Sequence, residues 1–409
     1  MQEMDTATQA LDGVKVADFT WAIAGPITTQ MLAFHGARVV KIESIMRPDG
    51  QRTWGPFRDN IPGINRTAAF TKYNANKYGI TLNLNHPKAA GVVRKLIGWA
   101  DVVAENFTPG TMANWGLSYE DLIRIKPDIV MISMSARGQT GPLAQLPGIG
   151  PNLAGMSGLA GLCGWPDNGP SFIYGAYTDF LVPHFAIVTL VAALDNRRTT
   201  GKGQYIDLSQ LACAIQFNTP LLLDYAMNGR DMSLKGNKCD HAAPHQIYRC
   251  RGQDRWCAIA VFDDTQWRAL CNVIGAPGWL EDPRFDTLPS RKRNEDELDR
   301  LVEAWTVKFA PEEIVPLLQA AGVPAGTAIV GQEFFDDPQL KHRAHFSWLD
   351  HPEIGQQSYE SPGFRLSGTP GLYYSPAPCL GQHNEYVYTE LLGMPDEEFC
   401  ELLNEGVFQ

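Results

Sequence analysis

Asp179 is the acid whose setting most resembles that of a reactive group. It stands among Tyr174, Tyr177, Phe180 and Leu181, just ahead of an apolar run that continues from Pro183 to Leu194. Apolar neighbours would raise its pKa and a helix N-terminus would lower it, so its nucleophilicity depends on their balance. A plain N-cap bonding the first turn is the alternative role for the same side chain. Other catalytic templates lack their residues: there is no GxSxG elbow, no HExxH and no Cys with a convincing His partner. His241 and His245 have helical i, i+4 spacing, but Pro244 interrupts them and no metal is expected there. The eight cysteines, Cys163, Cys213, Cys239, Cys250, Cys257, Cys271, Cys379 and Cys400, form no CxxC pair and read as small buried residues. Gly148-Ile149-Gly150-Pro151-Asn152-Leu153 lacks the third glycine of a dinucleotide motif and the βαβ setting that motif requires.

These residues sit in a chain of 409, long enough for two or three domains. Hydrophobic residues at 44% and charged residues at 19% describe a folded globular protein rather than a disordered one. With 34 basic against 45 acidic residues, the net charge of -11 repels a polyanion, so nucleic acid is not an expected partner. A small anion held by local donors remains compatible with that field. The stretch Met1–Ala10 has neither a basic cluster nor an apolar run, so a cytoplasmic location is expected. The apolar segment Phe180–Leu194 is short for a membrane span and holds Pro183 and His184; a buried core helix is expected, with no membrane partner.

From Val14 to about Ser135, short β-branched runs alternate with helical patterns, as in a parallel sheet with crossover helices. Val14–Phe19, Arg38–Ile42, Val102–Glu105 and Ile129–Ser133 are apolar enough to be central strands. Pro26 suits the first turn of a helix that Gly36 stops, and His86-Pro87 begins another. The glycine-dense stretch from Gly148 to Gly175 reads as a loop suited to close approach to a ligand. Pro183 is expected to open the apolar helix, which closes at Arg197, Arg198 and Gly201. The expected fold class is α/β: a large Rossmann-like parallel-sheet domain and a smaller α+β domain, joined by long linkers. The boundaries read as a large domain over 1–227, a linker over 228–245, a small domain over 246–330, a second linker over 331–370, and a segment 371–409 returning to the large domain.

Several segments resemble the family III CoA-transferases, the family of the formyl-CoA and carnitine CoA-transferases. They include Leu11-Asp12-Gly13-Val14-Lys15-Val16-Ala17-Asp18-Phe19-Thr20, Ala24-Gly25-Pro26, Gly36-Ala37-Arg38-Val39-Val40-Lys41-Ile42-Glu43 and Asn74-Ala75-Asn76-Lys77. Glu105-Asn106-Phe107-Thr108-Pro109-Gly110, Gly138-Gln139-Thr140-Gly141-Pro142 and Thr200-Gly201-Lys202-Gly203-Gln204 follow in family order. Ala321-Gly322-Val323-Pro324-Ala325-Gly326, Asp337-Pro338-Gln339-Leu340 and Leu380-Gly381-Gln382-His383 complete the series, so the resemblance covers nearly the whole chain from Leu11.

The resemblance implies an enzyme that moves CoA from an acyl-CoA donor to a carboxylate acceptor, with Asp179 as the nucleophile. It implies a mixed anhydride, then an aspartyl-CoA thioester, with no metal and no tightly bound cofactor; the coenzyme A thioester is a substrate. It places Lys77, Asn106, Phe107 and Arg52 at the coenzyme, the lysine near phosphate, and Trp21, Ile23, Trp54 and Ile149 at the acyl pocket. It also implies an interlocked dimer, either a homodimer or a heterodimer with a related subunit.

Departures from formyl-CoA transferase-like sequences refine these expectations. Ile23 stands where that pattern has Gln and Ile149 where it has Tyr, which implies a bulkier, less polar acid, aryl or branched. Ser44, Asn114 and Pro147 stand where the pattern has the basic residues Arg, Arg and Lys. Two alternatives follow: a catalytically reduced partner subunit of a heteromeric enzyme, or an acyl-CoA racemase sharing the fold. The racemase pattern Gly-His-Asp-Ile-Asn has neither its His nor its Asp in Gly148-Ile149-Gly150-Pro151-Asn152.

Overall fold

The computed structural model describes residues 9–173, 175–231 and 233–409. It divides into two compact units, one of Met1–Ala160, Phe172–Asp231 and Lys341–Gln409, the other of Gly161–Ser171 and Met232–Leu340. The chain runs β1 (Lys15–Asp18), α1 (Ala24–Phe34), β2 (Arg38–Glu43), α2 (Ala68–Lys72), β3 (Lys77–Thr81), α3 (Ala89–Trp99) and β4 (Val102–Glu105). It continues through α4 (Thr111–Asn114), α5 (Tyr119–Ile125), β5 (Val130–Ser135), α6 (Gly150–Met156), α7 (Leu159–Leu162) and the short strands β6 (Gly164–Trp165) and β7 (Gly169–Pro170). Then come α8 (Tyr177–Thr200) and β8 (Gln204–Ser209).

Six of these strands make one parallel sheet in the order β3-β2-β1-β4-β5-β8. The expected strands β1, β2, β4 and β5 lie at its centre, and their β-branched residues are buried on both faces. One face packs Ala17, Val40, Ile80 and Val103 against Val92, Leu96 and Ile97 of α3. The other packs Val16, Val39, Val102 and Ile132 against Leu32 of α1 and Val182, Ala186 and Leu190 of α8. The order reverses between β1 and β4. In open α/β sheets, the crevice beyond the carboxyl ends of two such strands is where ligands bind.

The glycine-dense stretch differs from its expectation as a loop: it contains α6, α7 and the β6–β7 hairpin. Pro183 does not open α8 either; the helix begins six residues earlier, at Tyr177, so Asp179 lies in its first turn. Proline has no N–H, so Pro183 cannot bond the carbonyl of Asp179, four residues back. The helix survives because its first turns are fixed by packing. Leu181, Val182, Ala186, Leu190 and Ala193 are buried on one face. At 24 residues α8 is long and apolar enough to cross a membrane by length and composition, although only 39% of its most apolar window is buried.

The second unit holds a three-stranded antiparallel sheet of β9 (His245–Arg249), β10 (Trp256–Ala260) and β11 (Ala325–Thr327), with helices packed against it through Trp267, Leu270, Leu298, Val302, Ile314 and Leu318. The stretch 331–370 crosses from the second unit into the first at Lys341, and its part in the first unit holds an antiparallel hairpin, Phe346–His351 with Gly355–Glu360.

Candidate active site

Residues 20–23, between β1 and α1, form a strip whose backbone is pinned by side chains from three directions. Thr20 N–H donates to Oδ1 of Asp18 at 2.9 Å, and the Thr20 carbonyl accepts from Nζ of Lys41 at 2.6 Å. Trp21 N–H donates to Oδ1 of Asn106 at 2.7 Å, and Nδ2 of Asn106 donates to the Trp21 carbonyl at 2.7 Å. Ala22, at φ 62°, donates its N–H to Oδ1 of Asp49 at 3.1 Å. A left-handed φ is uncommon for a residue with a Cβ, and the surrounding bonds hold it there.

Beneath the strip lies a buried array of charges. Lys41 pairs with Asp49 at 3.1 Å, Lys77 with Asp18 at 3.0 Å, and Arg52 with Glu43 at 2.7 Å. Burial opposes the charge on Asp18, but Lys77, Lys41, Thr20 and Thr29 outweigh it and hold its pKa below the usual range. Burial pulls Lys77 down to about 8 against the attraction of Asp18, so the ammonium is still charged at neutral pH.

Residues of the strip line two cavities, Trp21 and Ala22 one and Ile23 the other. The first, a crevice of about 660 Å³, opens at the β1–β4 reversal, lined by Trp21, Ser44, Arg47, Asn106, Phe107 and Trp115 among others. Phe107 meets Trp21 edge-on at 5.3 Å and Trp115 at 5.5 Å, while the guanidinium of Arg47 lies 5.5 Å from the Trp21 ring centroid. Arg47 is the basic residue among the described residues that line this crevice. Aromatic faces, a cation and hydrogen-bonding groups in one crevice suit a nucleotide.

The second, a cavity of about 650 Å³, is lined by Ile23, Trp54, Phe57, Tyr73, Ala176 and Phe180, with Arg58, Arg66 and Lys72 on its wall. These cations are already engaged. Arg66 donates to the carbonyls of Ile61, Arg58 and Glu353, Lys72 pairs with Glu360, and Arg58 pairs with Asp59 at 3.4 Å.

Asp179 adjoins this second cavity, since Gly175, Ala176 and Phe180 around it form part of the wall. Its carboxylate comes up against Gly150: a Cβ built on that glycine would lie 2.5 Å from Oδ2 of Asp179 and 2.5 Å from Cβ of Ala176. The sequence therefore needs glycine there. Burial raises the pKa of Asp179 to about 6, and no charged partner contributes. The group is ionised at pH 7 but weakly solvated, which leaves its oxygen more reactive than that of an exposed carboxylate. Tyr174, named with its neighbours, lies outside the described residues.

The other expected residues divide. Asn106 and Phe107 line the crevice, and so does Trp21, expected at the acyl pocket. Ile23 and Trp54 line the cavity beside Asp179, while Ile149 is 68% exposed and lines neither cavity. Two expectations need correction. Lys77 is 2% exposed with its ammonium bonded to Asp18, Asn74 and the Pro26 carbonyl, and so has no face for a phosphate. Arg52, 1% exposed, is forked onto Glu43 over the Phe70 ring and is likewise sealed in. Reading from sequence missed Trp115 and Arg47 in the crevice lining; the position of Trp115 five residues beyond Gly110 was its only signal. Among the described residues, no group of three His, Cys, Asp or Glu is placed to hold a metal ion.

The model of CoA-transferase family III matches residues 11–384. The chain is 33% identical to the succinyl-CoA–D-citramalate CoA-transferase of Chloroflexus aurantiacus, over 96% of this chain and 96% of that protein. It is 30% identical to the succinyl-CoA–L-malate CoA-transferase beta subunit of the same organism, over 98% of this chain and 99% of that one. Among solved structures, a CaiB/BaiF family protein from Brucella suis matches with a TM-score of 0.86 and 31% identity, covering 94% of this chain and 100% of that one. A fold with its switch-point crevice, and sequence matches of this length, lead to one assignment: the chain belongs to CoA-transferase family III.

Proposed function

We propose that this CoA-transferase works through Asp179. The carboxylate oxygen attacks the carbonyl of an acyl-CoA, the C–S bond breaks, and a mixed anhydride and CoA thiolate result. The thiolate attacks the aspartyl carbonyl, expelling the donor acid as a carboxylate and leaving an aspartyl-CoA thioester. The acceptor carboxylate then runs both steps in reverse, releasing the new acyl-CoA and the free aspartate. Nothing is oxidised or reduced, and no proton need be consumed.

The observation that carries this reading is the seat of Asp179: partly buried, ionised at neutral pH, pressed against Gly150, and flanked by residues that wall a cavity able to take an acyl group. The coenzyme is assigned to the crevice with Asn106, Phe107 and Trp115. The acid is assigned to the cavity with Ile23, Trp54 and Phe180, whose apolar surface and already paired cations favour an aryl or branched body. The partner is a second family III chain, identical or related; a relative named as a beta subunit supports the related form. No observation favours a catalytically reduced subunit or a racemase.

The test is to incubate the enzyme with an acyl-CoA, trap with hydroxylamine or borohydride, and map the modified residue by mass spectrometry. Modification confined to Asp179 is expected, and an unmodified Asp179 in an active preparation rejects the reading. A screen of aryl, branched and dicarboxylic acceptors tests the acid class; preference for dicarboxylates overturns the apolar assignment and leaves the mechanism standing.

A further inference from the structure

Glu105 is the last residue of β4, immediately before Asn106 and Phe107, and the mechanism above does not use it. It is 3% exposed. Its Oε2 accepts the N–H of Phe107 at 2.7 Å, and Ser133, its register partner on β5, lies alongside. The carboxyl faces a chamber of about 210 Å³ lined by Thr108, Met112, Tyr119, Ser133, Gln139 and Tyr205 among others. None of the described residues lining that chamber is basic. The titratable groups around it are Asp207 and Tyr205 from β8 and Tyr119 and Glu120 from α5, all neutral or negative. In the chamber wall, Nε2 of Gln139 is buried with no protein partner.

A carboxyl kept among such neighbours is costly, and its bonds show where it acts. Asn106 grips Trp21 with its side chain, leaving Phe107 to be held by its backbone, and Glu105 takes the N–H that fixes it. Phe107 in turn separates Trp21 from Trp115 on the crevice wall. We infer that Glu105 is a positioning residue for coenzyme binding: by holding the Phe107 N–H it sets the aromatic wall of the crevice, and the affinity for a CoA thioester follows the charge on its carboxylate. An ionised acceptor makes the stronger bond to an N–H, so the wall is firmest when Glu105 has lost its proton. Burial, with repulsion from Asp207, raises its pKa to about 7 against the lowering influence of the Ser133 hydroxyl and the Phe107 N–H, so the change falls near neutrality.

The inference rests on the crevice being the coenzyme site, and the test separates the two. Steady-state kinetics with an acyl-CoA are measured for wild type, Glu105→Ala, Glu105→Gln and Phe107→Ala between pH 6 and 8.5. Loss of one hydrogen bond to a charged acceptor predicts that Glu105→Ala raises KM for the thioester about tenfold and leaves kcat within about twofold. Glu105→Gln keeps an oxygen for the Phe107 N–H, so its KM at pH 8 stays within about threefold of wild type, and it lacks the part of the wild-type rise in KM between pH 8 and 6 that Glu105 causes. An unchanged KM in Glu105→Ala, or a fall in kcat alone, overturns the inference while Phe107→Ala still raises KM. If Phe107→Ala also has no effect, the crevice assignment fails and the inference with it. Should Glu105→Ala not fold, the Glu105→Gln profile decides: the wild-type slope overturns the inference and a flatter one supports it.

Discussion

Asn106 and Trp21 are joined by two bonds of 2.7 Å, with the amide side chain of one reading both the N–H and the carbonyl of the other. This mimics the pairing of neighbouring strands beyond the point where β1 and β4 diverge, and it fixes the mouth of the crevice at the place where the sheet order reverses. Asn106→Ala leaves both Trp21 groups without these partners. It should cost about 1–3 kcal/mol of stability and raise KM for an acyl-CoA, checked by thermal unfolding and steady-state kinetics.

Asp179→Asn should abolish turnover, by about 10³-fold or more, while the protein stays folded. Its effect on stability has a definite sign. The folded pKa of about 6 lies above the ordinary carboxylate value, so ionisation costs the folded state more than the unfolded one. That penalty grows as pH rises from about 4 to 6 and is constant above. The asparagine does not carry it, so the variant should unfold at a higher temperature than wild type at pH 7.5 and gain little at pH 4.

The same group sets the acid limb of the rate profile. Only the carboxylate form attacks, so kcat/KM should fall about tenfold per pH unit below about pH 6, with no such limb left in the residual activity of Asp179→Asn. A profile flat down to pH 5 would show that another group limits the reaction.

Gly150→Ala tests the seat of the proposed nucleophile without touching its chemistry. The added methyl would lie 2.5 Å from Asp179 Oδ2 and from Ala176 Cβ, so one of them must move. A fall in kcat of about 10²-fold, with KM for the coenzyme thioester within about threefold, is expected, since displacing a reacting atom by about 1 Å costs that much.

Lys77→Met separates a structural ammonium from one that binds phosphate. Removing it leaves Asp18 buried without its closest cation, which should cost about 3–5 kcal/mol of stability. KM for acyl-CoA in the fraction that remains folded should change little. Because partners hold the pKa of Asp18 low, the stability it contributes is present above pH 4 and lost as pH falls below that, so wild type should be acid-labile through this pair.

Much of this was legible in the residues, and what was not has physical causes. Strands β1, β2, β4 and β5 announced themselves because both faces are buried and each is built around short runs of apolar residues. β3 and β8 did not: Lys77-Tyr78-Gly79-Ile80-Thr81 carries a buried lysine and a glycine that packs against Pro378, and β8 alternates polar residues along a sheet edge. Asn106 and Phe107, from a local motif, line the crevice, and the neighbours of Asp179 line the second cavity; their roles there are the proposal made above. The interior positions of Lys77 and Arg52 could not be read from the residues, because Asp18 is brought to Lys77 by the sheet register, and Glu43 meets Arg52 only once the loop after β2 folds back over Phe70. Pro183 misled for a related reason: a proline in a helix interior is tolerated only where tertiary packing secures the turn around it.

That proline has a mechanical consequence for the residue four places before it. The rung of the helical ladder that would tie the backbone of Asp179 to the next turn is missing, so the segment bearing the carboxylate can pivot a little without breaking a bond already made. In the mechanism proposed above, a carboxylate that must approach a thioester, receive its cargo and then present it to a second acid gains from a mounting that is partly buried yet hinged at its base.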